Sequence, residues 1–212
     1  NPPLRVTSDK ETIQVSYGNA DPFVVIEKST GGISSICWGA TDFLCGKDLN
    51  SNFTRATTDN DRGGMELVLD FLLLSWAQPI FQLFGSDNFS HEMHWRKNGV
   101  SQDAPPNVIC YRIVVVEEKD DEVNIEAFCV VRTARKRDIL EQKLEYKIFR
   151  DGRIRIVNDV RPNVSIRKIP SLPRVGLSFQ LNPAFYEIQY YGRGPHENYG
   201  DRKAGSQMGL WK

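Results

Sequence analysis

Glu141-Gln142-Lys143-Leu144-Glu145-Tyr146-Lys147-Ile148-Phe149-Arg150-Asp151-Gly152-Arg153 decides the fold class. Leu144, Tyr146 and Ile148 alternate with Glu145 and Lys147. Successive side chains of a strand point to opposite faces, so this is a strand with one dry and one wet face. Asp151-Gly152 then supplies the turn of a hairpin, because glycine takes the positive φ that such turns demand.

Working outward, residues 108–118, 122–133 and 153–160 read as further strands of an antiparallel meander. Toward the N-terminus, 4–6 and 12–17 are strands, the second alternating Ile13, Val15 and Tyr17 with polar neighbours. Residues 23–28 and 33–38 flank Ser29-Thr30-Gly31-Gly32, a second hairpin signal. Residues 175–181 and 185–191 complete the set, the last as a buried strand. So many short strands with turn residues between them predict an all-β, antiparallel β-sandwich in one domain.

Residues 65–84 break the pattern with a strongly apolar run. A membrane span needs about twenty such residues. Glu66, Asp70, Gln78 and Pro79 interrupt this one, and no positive flanks appear. The run is therefore expected to pack on the sandwich or a partner domain. A short helix is expected over 87–95, capped by Ser86 or Asp87, so that the helical insertion covers about 65–95.

The chain closes on Tyr190-Tyr191-Gly192-Arg193-Gly194-Pro195-His196-Glu197-Asn198-Tyr199-Gly200-Asp201-Arg202-Lys203. Two glycines flank an arginine, and proline fixes the next φ. A positive φ at Gly192 or Gly194 and an internally hydrogen-bonded loop over 193–202 are expected. Such a loop docks on another domain or lines a site.

This block, from Tyr191 to Arg202, resembles the signature of the C-terminal β-sandwich domain (small-chain-like) of glycoside hydrolase family 2 β-galactosidases. Asn52-Phe53-Thr54-Arg55-Ala56-Thr57-Thr58-Asp59-Asn60-Asp61-Arg62-Gly63 resembles that domain's N-F-W-R-A-P-T-D-N-D-R-G, with Thr54 and Thr57 where the family has tryptophan and proline. Leu172-Pro173-Arg174-Val175-Gly176-Leu177 is similar to its L-P-R-x-G strand, and the residues from Trp95 to Val100 rejoin the family pattern. The resemblance implies a galactose-mutarotase-like sandwich cut from a larger multidomain enzyme. It implies that Asp59, Asn60, Asp61, Arg62 and Gly63 form a mobile loop near the galactoside pocket. Tyr191, Arg193, His196, Glu197, Asn198, Asp201 and Arg202 would form an interface or pocket-edge loop. The partners it implies are the parent's other domains and a β-galactoside, in an oligomeric parent using Mg2+ and a monovalent cation. No cofactor is expected in this chain, and the sugar-stacking tryptophan of the family lies beyond Lys212, so Trp211 is not its equivalent.

Composition sets further bounds. With 27 basic and 27 acidic residues in 212, the formal charge is zero, which gives no general attraction to nucleic acid or anionic membrane. Four cysteines without metal spacing fit a reduced, cytoplasmic setting, Cys110 and Cys129 lying in separate strands. Sequons at Asn52, Asn88 and Asn163 carry little weight, since chance alone yields about one or two in such a composition.

Three kinds of chemistry have candidate residues. Glycoside hydrolysis needs two carboxylates with divergent environments, and neither Glu197 with Asp201 nor Asp59 with Asp61 has such a context. The resemblance places the family's acid/base and nucleophile in a separate barrel domain, so no catalytic residue is assigned. Asp59-x-Asp61-x-Gly63-Gly64 with Asp70 is a poor calcium loop, lacking the closing glutamate. His91 and His94 are three apart, where a zinc helix needs four. Two other classes of function stay open. One is a non-catalytic carbohydrate-binding or assembly module. The other is a sugar epimerase using His196 and Glu197, which neighbouring positions on a strand would point to opposite faces.

Overall fold

In a computed structural model, residues 2–46, 48–62, 90–163, 171–196, 198–199 and 203–212 are described. The apolar run 65–84 and both expected helix caps, Ser86 and Asp87, lie outside them. The chain forms two compact units, Asn1–Gln180 and Leu181–Lys212.

The first unit is built on two antiparallel sheets. One has the order β1-β2-β3-β4-β5, from β1 (Leu4–Ser8), β2 (Thr12–Tyr17), β3 (Pro22–Glu27), β4 (Ile33–Trp38) and β5 (Thr41–Asp42). The other has the order β10-β9-β8-β7, from β7 (Asn107–Glu118), β8 (Glu122–Arg132), β9 (Asp138–Phe149) and β10 (Ile154–Pro162). Every neighbour in each sheet is also the neighbour in sequence, which is what short hairpin connections produce.

The alternation read from 144–148 holds. Leu144, Tyr146 and Ile148 are buried beside Val123, Ile125, Ala127 and Cys129 of β8, and they form one core with Ile13, Val15, Val24, Ile26 and Ile33 of the first sheet. The structure is thus an all-β sandwich. On the wet face Lys143 pairs with Glu126 at 2.8 Å and Lys147 with Glu122 at 2.9 Å. These half-exposed pairs add little stability. Tyr146 carries a hydroxyl into the core, and it donates to the Gly31 carbonyl at 2.6 Å. That bond ties the second sheet to the β3–β4 turn, where Gly31 has φ 71°.

Two small pairings complete the fold. β6 (Asn50–Asn52) pairs with β11 (Gly176–Ser178), Asn52 facing Gly176. In the second unit, β12 (Tyr190–Gly194) pairs with β13 (Gln207–Trp211). Strand 185–191 is corrected here: residues 185–189 are not strand, and Tyr190 and Tyr191 are exposed rather than buried. Pairing on one edge only, without a second layer in this unit, leaves those aromatics uncovered. The 175–181 strand is likewise shorter than its apolar pattern, covering Gly176–Ser178.

Among the described residues, α-helix appears in two places. α1 is a single turn, Asp59–Arg62, and α2 is His91–Asn98. α2 begins four residues later than its expected start, because Ser90 rather than Ser86 or Asp87 caps it. The Ser90 hydroxyl accepts from the Met93 amide at 3.0 Å, and Gly99 ends the helix at φ 75°.

Candidate functional site

The segment that follows β6 is held by buried groups. Phe53 is 2% exposed and anchors a second, smaller core with Trp95, Val100, Val131, Ile139 and Leu140. Arg55 comes next and works in three directions. Its Nε donates to the Pro173 carbonyl at 2.8 Å, its guanidinium lies 5.4 Å from the Trp95 ring centroid, and its two terminal nitrogens meet Asp61 at 2.7 and 2.8 Å.

Asp61 completes the clamp. One oxygen takes an Arg55 hydrogen bond, and the other also accepts from the Thr58 amide at 2.8 Å and hydroxyl at 2.9 Å. The carboxylate thus caps the single turn α1 from within and neutralises a guanidinium that is itself nearly buried. Two-point arginine–carboxylate contact fixes orientation as well as distance. The loop expected to be mobile over 59–63 is therefore tethered through its middle residue. Asn60 sits at its exposed surface, while Gly63 lies outside the described residues.

Trp95 brings in the third partner. Helix α2 presents it to the core at 3% exposure, and its indole N–H donates to the Ser171 carbonyl at 2.7 Å. A recess of about 100 Å³ opens beside this cluster, lined by Arg55, Thr57, Glu92, Trp95, Arg96 and Asp103 among others. Glu92 and Arg96, one turn apart on α2, pair in its wall at 2.8 Å. Its lining is polar and carries both signs of charge, a surface suited to hydroxyl-rich or zwitterionic contacts rather than to an apolar ligand.

The three sequence blocks around Asn52, Trp95 and Leu172 thus converge on one cluster. Sequence reading quoted Arg55 and Trp95 without connecting them. No local spacing could have joined Arg55 to Trp95 or to Pro173, which is 118 positions away. The usable local signal was Asp61, six positions after Arg55 in the same block.

The metal candidates do not assemble. The His91 ring lies 3.2 Å from the Ser171 hydroxyl and does not meet His94 in a ligand set. Among the described residues, no group of three or more His, Cys, Asp or Glu is placed to hold a metal ion. Gly63, Gly64 and Asp70 of the calcium-like spacing lie outside them.

The C-terminal block belongs to the second unit. Neither Gly192 nor Gly194 has positive φ, contrary to expectation, because both lie in the β12 ladder opposite Gly209 and Gln207. Gly194 is needed for space instead. A Cβ there would come within 2.6 Å of the Tyr190 hydroxyl and 3.0 Å of the Trp211 indole. Arg193 closes the loop, donating to the carbonyls of Lys203 at 3.3 Å and Ser206 at 3.0 Å. Trp211 donates to the Gly192 carbonyl at 3.0 Å, a structural use of that ring. His196 and Asn198 are exposed, Tyr191 is 74% exposed, and Glu197, Asp201 and Arg202 lie outside the described residues.

The comparisons agree with this arrangement of blocks. The family described as "Beta galactosidase small chain" matches residues 19–212. A β-galactosidase of Priestia megaterium is 30% identical over 212 residues, all of this chain and 17% of that protein. One from Halalkalibacterium halodurans is 24% identical over 200 residues, 94% of this chain and 16% of the relative. One from Lactococcus lactis is 26% identical over 214 residues, covering 100% of this chain and 18% of the relative. The chain therefore spans less than a fifth of the length of these relatives. With the match running through the sandwich, the clamped turn and the C-terminal ribbon alike, the chain belongs to the β-galactosidase small-chain family.

Proposed function

We propose that this chain is the part of a β-galactosidase that supports and edges the substrate pocket. The parent would hydrolyse terminal β-D-galactosides with retention, using two carboxylates supplied by another domain. The observation that carries this reading is the Arg55–Asp61 clamp. It spends Asp61 inward, on Arg55 and Thr58, and so fixes the turn on which Asp59 and Asn60 are carried. Asp61 then acts as a positioning residue for that turn rather than as a sugar ligand. Held side chains of this kind can bond sugar hydroxyls directly or through water.

The test uses the complete galactosidase and an aryl β-galactoside. Asn60→Ala and Gly63→Val are expected to change kcat and KM together, as loop changes do, with unfolding midpoint and assembly unaltered. Kinetics blind to both substitutions would overturn the pocket-edge role. A second reading, an assembly module, is favoured by the aromatic surface of the second unit, where Tyr186 is 93% and Leu210 64% exposed. Under it, changes at those positions would alter subunit association and leave kcat/KM per assembled enzyme untouched.

A further inference from the structure

Cys110 and Cys129 lie in separate strands, and β7 and β8 are neighbours that place them directly opposite one another. The register slips just after Cys110. The Cys110 amide donates to the Ser29 carbonyl at 2.8 Å, away from β8. The pair is thus not bridged by ladder hydrogen bonds, and opposed residues of that kind have Cα atoms about 4.5 Å apart. Disulfides span Cα separations of about 4.4 to 6.8 Å.

Both side chains also share one face and one spot. Cys129 is fully buried in the main core, and Cys110 packs against that core half-buried. A Cβ built on Gly31 would lie 3.1 Å from the Cys129 sulfur and 3.5 Å from the Cys110 Cβ, so the two thiols sit side by side beneath the same turn. Cys129 donates to the Thr30 carbonyl at 3.6 Å.

We propose that Cys110 and Cys129 form a redox-active dithiol that closes to a cross-strand disulfide by exchange with a low-molecular-weight disulfide. The thiolate of Cys110 attacks one sulfur of the small disulfide. The first small thiolate leaves, and a mixed disulfide remains on Cys110. Cys129 loses its proton to solvent and displaces the second small thiolate, forming the Cys110–Cys129 bond. Two protein thiols are oxidised, and one disulfide is reduced to two thiols.

The order of attack follows from the surroundings. Hydrogen bonding from Cys129 holds the Cys110 thiol below its ordinary value, at about 7, so it is the thiolate near neutral pH. The same contact, then burial, pushes Cys129 upward, which suits the resolving partner that acts only once a mixed disulfide lies beside it. Closure would remove the Cys129 donor from Thr30, at the turn that Tyr146 fastens to the second sheet.

The test is native incubation of the intact protein with oxidised glutathione, followed by thiol labelling and peptide mapping without reductant. The expected result is loss of labelling at both Cys110 and Cys129 and a peptide pair linked through them. Cys129→Ser should stop at a glutathione adduct on Cys110. Should that variant fail to fold, Cys110→Ser serves instead, and it should leave Cys129 unmodified. Cys45, which is exposed, and Cys37 are internal comparators. Glutathione found on those two residues, with Cys110 and Cys129 still both free for labelling after denaturation, would overturn the proposal.

Discussion

The two most conspicuous blocks of this sequence behave oppositely in the structure. In the block that begins at Asn52, Arg55 is bound to Pro173, Trp95 and Asp61, and Asp61 to Thr58, all within the chain. Between Tyr190 and Trp211, a two-stranded ribbon holds itself through Arg193 and Trp211 while Tyr191, Met208 and Leu210 stand exposed. An isolated two-stranded ribbon is marginal in water, and clustered exposed apolar side chains are a general mark of contact surfaces. A dense motif therefore marks a place that must be shaped. It does not say whether the shaping groups lie in the same chain.

The comparison breaks most readily at Asp61. Asp61→Ala leaves the Arg55 guanidinium buried without its carboxylate and is expected to lower stability by about 3 kcal/mol. Denaturant unfolding of the chain measures this, and a loss under about 1 kcal/mol would place the clamp among surface ion pairs. On the ribbon, Tyr191→Ser should change the stability of the chain alone by no more than about 0.5 kcal/mol, as exposed positions do. A larger change in the complete protein than in the isolated chain, measured side by side, would show that the ribbon is covered there. Equal small changes in both would leave it bare.

The smallest effect concerns a carboxylate as saturated as Asp61 but fully exposed. Asp9 accepts from the Glu11 amide, the Thr12 amide and the Thr12 hydroxyl at 2.6–2.8 Å. The Thr12 amide, first among these partners, holds its carboxyl below the ordinary 3.8. A depressed folded value means that the stabilisation is complete above the ordinary value and is lost as pH falls through the folded one. Asp9→Ala should therefore lower the melting temperature slightly at neutral pH and not at all below the folded value, which flattens the acid limb of the profile. A marked loss at neutral pH would mean that hydrogen-bond saturation, rather than burial, sets the size of the Asp61 effect.

The strands were legible because burial on one face writes itself directly into the sequence. Ile13, Val15 and Tyr17 or Leu144, Tyr146 and Ile148 need only period-two alternation to be placed. The ribbon was misread for the same reason. Tyr190 and Tyr191 are apolar enough to suggest a core, and sequence carries no record of which layer covers them. Gly194 was expected to serve backbone conformation, yet it makes room for the Trp211 ring, seventeen residues later, across a ladder that periodicity alone does not reveal. The site was legible as blocks and illegible as a cluster, because Arg55, Trp95 and Pro173 meet only through tertiary closure.

That closure has a kinetic side. The strands β7 to β10 follow one another through short turns, so their sheet can form from contacts local in the chain. The β6–β11 pairing and the Arg55–Pro173 bond instead bring together segments 118 or more residues apart and cannot repay loop closure until the sandwich between them exists. During synthesis, the meander emerges from the ribosome before Pro173 does. The clamped turn would therefore be among the last parts to set, and amide protons around Arg55 and Trp95 would exchange through a partial opening that leaves the meander folded.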